Sequence, residues 1–339
     1  MTAPLDPSRP VRWGVLGAGA IAATVGAEIA ASPESEIVAV GARDADRAAQ
    51  FAHRLAIPRS YGSYDELVAD SDIDVVYIAT THGQHHEHAL LALRAGKAVL
   101  VEKAFTLNAR QAQEVVDEAR RRDLFCMEAM WMRLNPMTLQ AVEIAHGGRI
   151  GDVTTVRADL SRRFEFDSAH RLFNLAAGGG ALLDLGVYPL TFAWMVLGAP
   201  ASVAAVGQLS PTGSDLVAAL QMSYPQGEVS QVHTSAAGLS PDAGLVLGTG
   251  GWIRLDPRIH RPRTLTVSTA EGQETIHGSE ERNGYGLEID EVERCLRAGL
   301  VESPYIPLDD TVGILRIIDS ARAQLGVVYP ADSDGPAGR

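Results

Sequence analysis

Three side chains capable of acid–base chemistry occur in two short segments of this sequence. Lys103 lies in VLVEKAF, and Asp184 and Tyr188 lie in GGGALLDLGVYPL. A helix over the second segment would place Asp184 and Tyr188, four residues apart, on one face. Ammonium, carboxylate and phenol groups together can exchange a proton with a hydroxyl, as the oxidation of an alcohol requires. The alternative is a solvated lysine at a strand end and a buried helix with a capped aspartate and a packed tyrosine.

The segment THGQHHEHA at residues 81–89 carries four histidines and a glutamate. On a helix, His85 and His88 are three residues apart while His86 points elsewhere, so the imidazoles do not converge. A zinc site would need a further ligand from another segment, and the two cysteines give no paired ligand spacing. We therefore predict no metal site. We interpret His85 as a cofactor-side or loop-tethering residue, and His86 and His88 as surface or packing residues.

A nucleotide-binding fingerprint lies near the start of the chain. VRWGVLGAGAIAA runs from an apolar strand into a G-x-G-x-x-A turn and then a helix, which is the context that the fingerprint requires. Gly17 permits the tight turn, Gly19 lets the backbone approach a pyrophosphate, and the helix N-terminus supplies N–H groups. We predict that Gly17, Gly19, Ala20 and Ile21 bind the cofactor. The alternative is a glycine turn without a ligand.

The end of the second strand bears on the choice of cofactor. An NAD enzyme usually has a carboxylate there, but residues 41–42 are Gly and Ala. Arg43 and Arg47 follow, one helical turn apart, and two guanidiniums suit a 2′-phosphate. Asp44 or Asp46 could instead reach a ribose, although Asp44 is better explained as a helix N-cap. Both arginines could also be solvated helix-start residues. We predict NADP as cofactor, with NAD as the alternative.

Further cofactor-side residues follow two other apolar strands. Loops at the carboxyl ends of parallel strands line the ligand crevice of a doubly wound sheet. The strand VVYIAT is followed directly by the histidine segment, and the strand AVLVEK ends in a charged pair. The residues predicted to lie beside the cofactor are Thr80, Thr81, His82, His85 and Glu102.

The arrangement of apolar runs predicts two domains. In the first 128 residues, short buried-type strands alternate with helical patterns, which predicts an α/β fold with a doubly wound parallel sheet. Later segments are strand-like and separated by turn signals, which predicts an α+β domain with a largely antiparallel sheet. The predicted strands are near 13–16, 37–40, 75–79, 98–101, 124–127, 152–160, 202–208, 215–224, 229–235, 243–247, 251–255 and 264–268. The predicted domains are 1–128 and 129–330, the second closed by helices near 284–298 and 309–325, with a disordered tail at 331–339.

The bulk composition excludes several partners. The net charge of −13 argues against nucleic acid and anionic membrane surfaces, because phosphate would be repelled. The first ten residues have no apolar core of a signal peptide, and two cysteines suggest a reducing compartment. The uncharged stretch Leu185–Ser214 contains a helix that must end near Leu197, too short for the ~20 residues of a membrane span. We expect a cytoplasmic protein.

The sequence resembles the glucose–fructose oxidoreductase/inositol dehydrogenase/MocA (Gfo/Idh/MocA) family over roughly residues 11–328. Within it the chain is most similar to the branch of dimeric dihydrodiol dehydrogenases and NADP-dependent D-xylose dehydrogenases. The similar motifs are GVLGAGAIA, the Thr-x-x-x-His pattern from Thr81 to His85, VEKAF, MEAMWMRLNP and GGGALLDLGVYP.

The resemblance implies roles for individual residues. Lys103 matches the lysine of the family's Glu-Lys-Pro motif, Tyr188 the acid/base tyrosine of this branch, and Asp184 a carboxylate beside the substrate. The residues implied to line the substrate pocket are Trp131, Arg133 and Arg171. Ala104 departs from the pattern, because the family usually has proline after the lysine. The resemblance also implies an open-faced sheet that often forms a dimer interface.

We therefore hypothesise an NADP-dependent dehydrogenase of small polyhydroxylated substrates, either sugars or cyclic vicinal diols. One alternative is oxidation of another ring carbon in a glycoside or inositol. A rival of another class is a catalytically silent NADP-binding regulator, which would keep the glycine fingerprint but need not keep Lys103, Asp184 and Tyr188 together. A metal-dependent hydrolase would rest on the histidine segment alone.

Overall fold

A computed structural model describes residues 4–278 and 284–332 of the 339-residue chain. The described strands are β1 Val11–Leu16, β2 Ser35–Gly41, β3 Arg59–Tyr61, β4 Val75–Ile78, β5 Ala98–Glu102, β6 Cys126–Ala129, β7 Val153–Ser161, β8 Ser202–Leu209, β9 Asp215–Ser223, β10 Val229–Ser235, β11 Gly244–Gly248, β12 Gly251–Leu255, β13 Thr264–Thr269 and β14 Gly272–His277. The described α-helices are α1 Ala20–Ala31, α2 Ala45–Leu55, α3 Tyr64–Ala69, α4 His82–Arg94, α5 Ala109–Arg121, α6 Pro136–His146, α7 Val187–Leu197, α8 Gly284–Arg297 and α9 Leu308–Leu325.

The chain divides into two units. The first contains the described residues 4–131 and 284–312, and its six-stranded parallel sheet has the order β3-β2-β1-β4-β5-β6. Strands β4 and β5 are buried along their whole length, as expected for short apolar runs in a parallel sheet. The strand order reverses between β1 and β4, and α/β sheets bind ligands at such a switch point. The predicted doubly wound parallel sheet is confirmed.

Helix α8 belongs to the first unit, whereas the sequence analysis placed it in a second domain spanning 129–330. Glu293 on α8 accepts a hydrogen bond from Ser32 Oγ at 2.8 Å and a second one from Ser35 Oγ. Arg297 forms an ion pair with Glu34 at 2.6 Å. The prediction was wrong because these partners are more than 250 residues apart in the chain, and no local pattern of α8 reveals them.

The second unit contains the described residues 132–278 and 313–332 and an eight-stranded sheet. The strand order is β14-β13-β12-β11-β7-β10-β9-β8, and every pairing is antiparallel except that of β7 with β10. Along β7, Val156, Ala158 and Leu160 are buried while Arg157 is exposed, the alternation of a sheet with one covered face. The predicted largely antiparallel α+β domain is confirmed.

Two of the described strands were not predicted. β3 and β14 are both edge strands, and both carry mostly half-buried or exposed side chains. An edge strand with few buried positions has no need for an apolar alternation, so its sequence gives no strand signal.

The most apolar helix is a core element. Leu175–Leu197 is apolar and long enough to cross a membrane by composition alone, but 83% of the tested window is buried inside the protein. Its α-helical part, α7, has only 11 residues and ends at Leu197, with Gly198 in a positive-φ conformation. The helix end predicted near Leu197 is confirmed.

The C-terminal tail begins later than predicted. Residues 330–332 form a short 3-10 turn, and Asp332 forms an ion pair with Arg322 at 2.8 Å. The prediction of disorder was therefore wrong for residues 331–332, because the ion pair with Arg322 on α9 holds them. Residues 333–339 of the predicted tail lie outside the described residues.

Candidate active site

The turn after β1, Gly17–Gly19, has the shape of a phosphate cradle, and we call it the nucleotide turn. Gly17 has a φ of +113°, and a Cβ atom there would lie 2.8 Å from the Ala79 carbonyl oxygen, so glycine is required. A Cβ atom at Gly19 would meet nothing within 4 Å. Gly19 precedes α1, whose N-terminus receives no side-chain cap from the described residues and carries no acidic residue in its first turn. The turn therefore fits an anionic phosphate.

Two exposed arginines follow β2, next to the nucleotide turn. Arg47 Nη2 donates to the carbonyl oxygen of Ala18 at 3.3 Å, so its guanidinium reaches the turn. Asp44 Oδ1 accepts the backbone N–H of Arg47 at 2.8 Å, as predicted for a helix N-cap. Arg43 is exposed, and residues 41–42 are buried and carry no polar side chain. The end of β2 therefore offers two cations.

Tyr64, which the sequence analysis did not assign, lies beside these arginines. Burial raises the pKa of Tyr64, and the charges of Arg43 and Arg47 oppose that rise. The Tyr64 ring packs edge-on against His88 at a centroid distance of 4.6 Å. Only the tertiary fold brings the start of α3 to this place.

The segment after β4 forms the start of α4. Thr81 is the N-cap residue, and the side chains of His82 and His85 are buried. His85 Nδ1 lies 2.9 Å from the carbonyl oxygen of Ala104. Burial lowers the pKa of His85 to about 4, so the neutral ring has one N–H to donate, and the Ala104 carbonyl is its shorter contact. His85 thus tethers the loop that contains Lys103.

The histidines of this segment have separate partners. His86 Nε2 lies 2.8 Å from Glu114 Oε2, and His88 Nδ1 lies 3.0 Å from Thr80 Oγ1. Throughout residues 4–278 and 284–332, no group of three or more His, Cys, Asp or Glu side chains is arranged to hold a metal ion. Each imidazole has its own local hydrogen-bonding or packing role.

We expect the purified protein to hold no stoichiometric zinc or other transition metal. Because the imidazoles have separate partners, a chelator should leave turnover unchanged. Elemental analysis and activity after dialysis against a chelator test this. One tightly bound metal per chain, whose removal abolishes activity, would contradict it.

The buried neutral His85 makes stability depend on pH. In the unfolded chain histidine binds a proton near pH 6.5, whereas in the folded protein the pKa of His85 is about 4. The unfolded state therefore binds more protons between these values, and stability is lost as the pH falls from about 6.5 to about 4. Between pH 7 and pH 4.5, the free energy of unfolding of wild type should fall by about 2–3 kcal/mol more than that of His85→Asn.

Urea unfolding at the two pH values measures this difference. The exposed His53 provides the control, because His53→Gln should keep the pH dependence of the wild type. An unchanged pH dependence in His85→Asn would show that the buried ring is not the cause.

Lys103 directly follows β5 and is half-buried. The peptide bond between Lys103 and Ala104 is cis, at the position where the family usually has proline. Glu102 Oε2 accepts the backbone N–H of Lys103 at 3.2 Å, and its Oε1 accepts the Tyr77 hydroxyl at 2.6 Å. Glu102, predicted as a cofactor contact, is thus buried and hydrogen-bonded within its own unit.

A second carboxyl group is buried near Glu102. Glu288 on α8 is fully buried, and its oxygens have no hydrogen-bond partner among the described residues. Burial raises the pKa of Glu288 well above its usual range, and the charge of Glu102 raises it further. Glu288 is not among the residues predicted for the site, because the sequence pattern assigns α8 to the other domain.

In the second unit, Asp184 and Arg171 form a bidentate ion pair. Arg171 Nη1 donates to Asp184 Oδ1 at 2.9 Å, and Nη2 to Oδ2 at 3.3 Å. Asp184 is buried, whereas half of the Arg171 side chain is exposed. Asp184 lies in a π-helical turn, Leu182–Gly186, rather than in the predicted α-helix. Such wider turns often occur at functional sites.

Tyr188 lies on the first turn of α7, which continues the π-helical turn. Its side chain is 6% exposed, and its ring packs against His260 at a centroid distance of 5.4 Å. His260 lies in the loop between β12 and β13, and the sequence analysis did not assign it. Tyr188 and His260 are 72 residues apart in the chain, so no local motif marks His260 as a neighbour of the tyrosine.

Trp131 and Arg133, implied as pocket residues by the resemblance, are both buried. The Trp131 ring packs on Tyr285 at a centroid distance of 5.0 Å. Both residues lie in the 3-10 turn Trp131–Leu134 after β6. Among the other predicted site residues, Lys103 belongs to the first unit, whereas Asp184, Tyr188 and Arg171 belong to the second.

Comparison with known families decides the classification. Residues 11–130 match the "Oxidoreductase family, NAD-binding Rossmann fold", and residues 138–254 match the "GFO/IDH/MocA C-terminal domain". The chain belongs to the GFO/IDH/MocA family. It is an oxidoreductase with an NAD(P)-binding Rossmann domain, and the resemblance inferred from the sequence motifs is confirmed.

Relatives of this GFO/IDH/MocA protein match it over nearly its full length. The trans-1,2-dihydrobenzene-1,2-diol dehydrogenase of Mus musculus is 38% identical, with 95% of this chain and 99% of that protein covered. The enzyme of the same name from Homo sapiens is 36% identical over the same shares of the two chains. Both are dehydrogenases of a cyclic diol by name.

Two solved structures share the fold. A levoglucosan dehydrogenase in complex with NADH and levoglucosan has a TM-score of 0.86 and 20% identity, covering 94% of this chain and 98% of that one. A 3-ketoreductase from Actinomadura kijaniata in complex with NADP has a TM-score of 0.84 and 24% identity, covering 93% and 98%. At this identity the likeness establishes the fold alone.

Proposed function

We propose that this protein is an NADP-dependent dehydrogenase that oxidises a hydroxyl of a cyclic vicinal diol or a small sugar. The 38% identity to a diol dehydrogenase over 95% of the chain carries the proposal. The chain also retains Lys103, Asp184 and Tyr188, the residues that a proton-transferring dehydrogenase of this kind needs. A silent nucleotide-binding regulator would have no need for all three.

The nucleotide turn and the arginines after β2 fit NADP. The open backbone at Gly19 and the uncapped N-terminus of α1 would hold the pyrophosphate. Arg43 and Arg47 would hold the 2′-phosphate, where an NAD enzyme usually has a carboxylate. When bound, the nicotinamide accepts a hydride from the substrate carbon. NAD remains the alternative cofactor, since relatives of this fold are bound to either nucleotide.

Tyr188 takes up the hydroxyl proton in the proposed reaction. The substrate O–H bond breaks and its proton moves to the phenolate oxygen. The carbon–oxygen single bond becomes a double bond as the hydride leaves the carbon. Lys103 stabilises the phenolate through its positive charge, since an opposite charge nearby favours the ionised form of a group.

The ion pair of Arg171 with Asp184 binds the second hydroxyl of the substrate in this proposal. Asp184 is buried, while Arg171 keeps half of its side chain exposed, so the guanidinium makes the direct contact. Asp184 holds that guanidinium in place through both carboxylate oxygens. Asp184, which the resemblance implies to be a carboxylate beside the substrate, acts in this proposal through Arg171.

A substrate panel tests the proposal. Reduction of NADP and of NAD is followed over cyclic vicinal diols, aldoses, inositols and glycosides. We expect the highest kcat/KM with NADP and a diol or aldose. Preference for an inositol or glycoside would select the ring-carbon alternative within the family. Tight NADP binding without turnover on any member would support a regulatory protein.

The open face of the second unit's sheet fits a dimer interface. Val206, Val217, Leu245, Leu247 and Trp252 lie on the face opposite the buried core residues, and Val206 is 72% exposed. Val217, Leu245, Leu247 and Trp252 are half-buried on the same face, and apolar side chains left on an outer face are typical of a protein interface. We propose a homodimer through this face, and Val206→Lys should shift the sedimenting species toward the monomer if it is correct.

A further inference from the structure

The turn that precedes Asp184 is fixed by residues distant in the chain. We call Gly178–Gly180 the triglycine turn; it leads directly into the segment with Asp184 and Tyr188. Asp215, the first residue of β9, accepts the backbone N–H of Leu182 through Oδ2 at 2.6 Å. The hydroxyl of Tyr329 donates to the Gly179 carbonyl oxygen at 2.8 Å.

These groups fit closely around Gly180. Its φ is +135°, and a Cβ atom there would overlap Asp215 Oδ1 and come within 3.3 Å of the Tyr329 hydroxyl. At the next residue, Thr234 Oγ1 lies 3.4 Å from the carbonyl oxygen of Ala181. The position at which the helix begins is therefore set by side chains of β9, β10 and the C-terminal segment.

The Tyr329 side chain is itself held in place. Its ring lies under the guanidinium of Arg322, 4.4 Å from the ring centroid. Arg322 forms ion pairs with Asp319 at 2.7 Å and with Asp332 at 2.8 Å. The Asp332 carboxylate also accepts the backbone N–H of Tyr329 at 2.8 Å. This network fixes the C-terminal segment against the triglycine turn.

Asp215 is an unusual choice for a purely structural cap. It is 1% exposed, and among the described residues its Oδ1 has no hydrogen-bond partner. Burial raises the pKa of Asp215 to about 6, while backbone N–H groups and Arg322 oppose the rise. The native carboxyl group thus holds its proton to a higher pH than in the unfolded chain, and stability falls as the pH rises from about 3.8 to about 6. Aspartate here stabilises the fold less than a neutral acceptor would.

We propose that Asp215 and Tyr329 are positioning residues that fix the triglycine turn and thereby the directions of Asp184 and Tyr188. The proposal rests on the proposed function, because it assigns a catalytic purpose to that helix start. A displacement of about 1 Å in a reacting group can cost about 100-fold in rate. The hydrogen bonds to Gly179 and Leu182 act on the backbone just before both side chains.

Tyr329→Phe and Asp215→Leu each remove one of the two hydrogen bonds to the turn, and Asp215→Asn keeps the acceptor at residue 215. Tyr329→Phe keeps the ring under Arg322 but lacks the hydroxyl, and we expect kcat to fall about 5-fold, the factor that one neutral hydrogen bond represents. Asp215→Leu removes the acceptor for the Leu182 N–H, and we expect a loss of about 10- to 100-fold. Asp215→Asn keeps an acceptor without the charge. It should restore kcat to within a few-fold and melt no lower than wild type at pH 7.5.

Tyr224→Phe is the matched control, because Tyr224 is a buried tyrosine of the same unit whose hydroxyl bonds to Ser230 at 3.0 Å. Tyr224→Phe should lower the melting temperature about as much as Tyr329→Phe does, but it should leave kcat unchanged. NADP affinity should be unchanged in all variants. Equal kcat in Tyr329→Phe and Tyr224→Phe, or an Asp215→Asn variant as slow as Asp215→Leu, would overturn the positioning role.

Amide hydrogen exchange separates this proposal from the proposed function. In Tyr329→Phe, peptides covering residues 180–188 should exchange faster than in wild type and in Tyr224→Phe. This readout needs no substrate, so it decides whether the turn is held even if wild type oxidises nothing on the panel. Unchanged exchange of residues 180–188 in Tyr329→Phe would overturn the proposal while leaving the dehydrogenase assignment intact.

Discussion

Replacement of Tyr188 by phenylalanine is expected to lower turnover by about 10²- to 10⁴-fold, the usual contribution of general acid–base catalysis. Phenylalanine keeps the ring and its packing against His260 but removes the group that exchanges the substrate proton. NADP binding should survive, because the nucleotide turn belongs to the other unit. Steady-state kcat on the preferred substrate and cofactor titration by fluorescence measure the two quantities.

A double-mutant cycle with Lys103 tests the shared proton transfer. A free phenol has a pKa of about 10 and is a poor base at neutral pH, so the lysine charge should matter only through the phenolate. Lys103→Met should slow turnover, and the double variant should lose less than the product of the single losses. Near-native turnover in Tyr188→Phe would show that the tyrosine has only a packing role. Lys103 would then be the first candidate for the base.

Replacement of Arg43 by alanine is expected to weaken NADP binding by about 10- to 100-fold while barely affecting NAD. A charge-assisted hydrogen bond contributes about 1.5–3 kcal/mol, and about 1.4 kcal/mol corresponds to a tenfold change. Only NADP carries the 2′-phosphate that Arg43 is proposed to bind. Titration of both cofactors against both proteins gives the comparison.

Arg54→Ala provides the control for overall charge, because Arg54 lies at the far end of α2 and stacks on Phe51. It should leave both affinities unchanged. Equal losses for NADP and NAD in Arg43→Ala would mean that Arg43 acts on the fold or on the shared pyrophosphate instead.

Features encoded by neighbouring residues were predictable from the sequence. The strand–turn–helix around Gly17 depends on a local pattern of apolar residues and glycine, and the cap at Asp44 depends on residues three positions apart. Short apolar runs predicted five of the six strands in the parallel sheet, because a buried strand needs such a run. The motifs around Lys103 and Tyr188 also identified the family.

Contacts between distant segments were decided by the tertiary structure alone. Glu293 joins α8 to the first unit, His260 packs on Tyr188, and Asp215 and Tyr329 hold the triglycine turn. None of these residues has a local pattern that reveals its partner. A buried side chain is selected by the groups that surround it in space, and for Glu293 the chain brings such a group from 261 residues away.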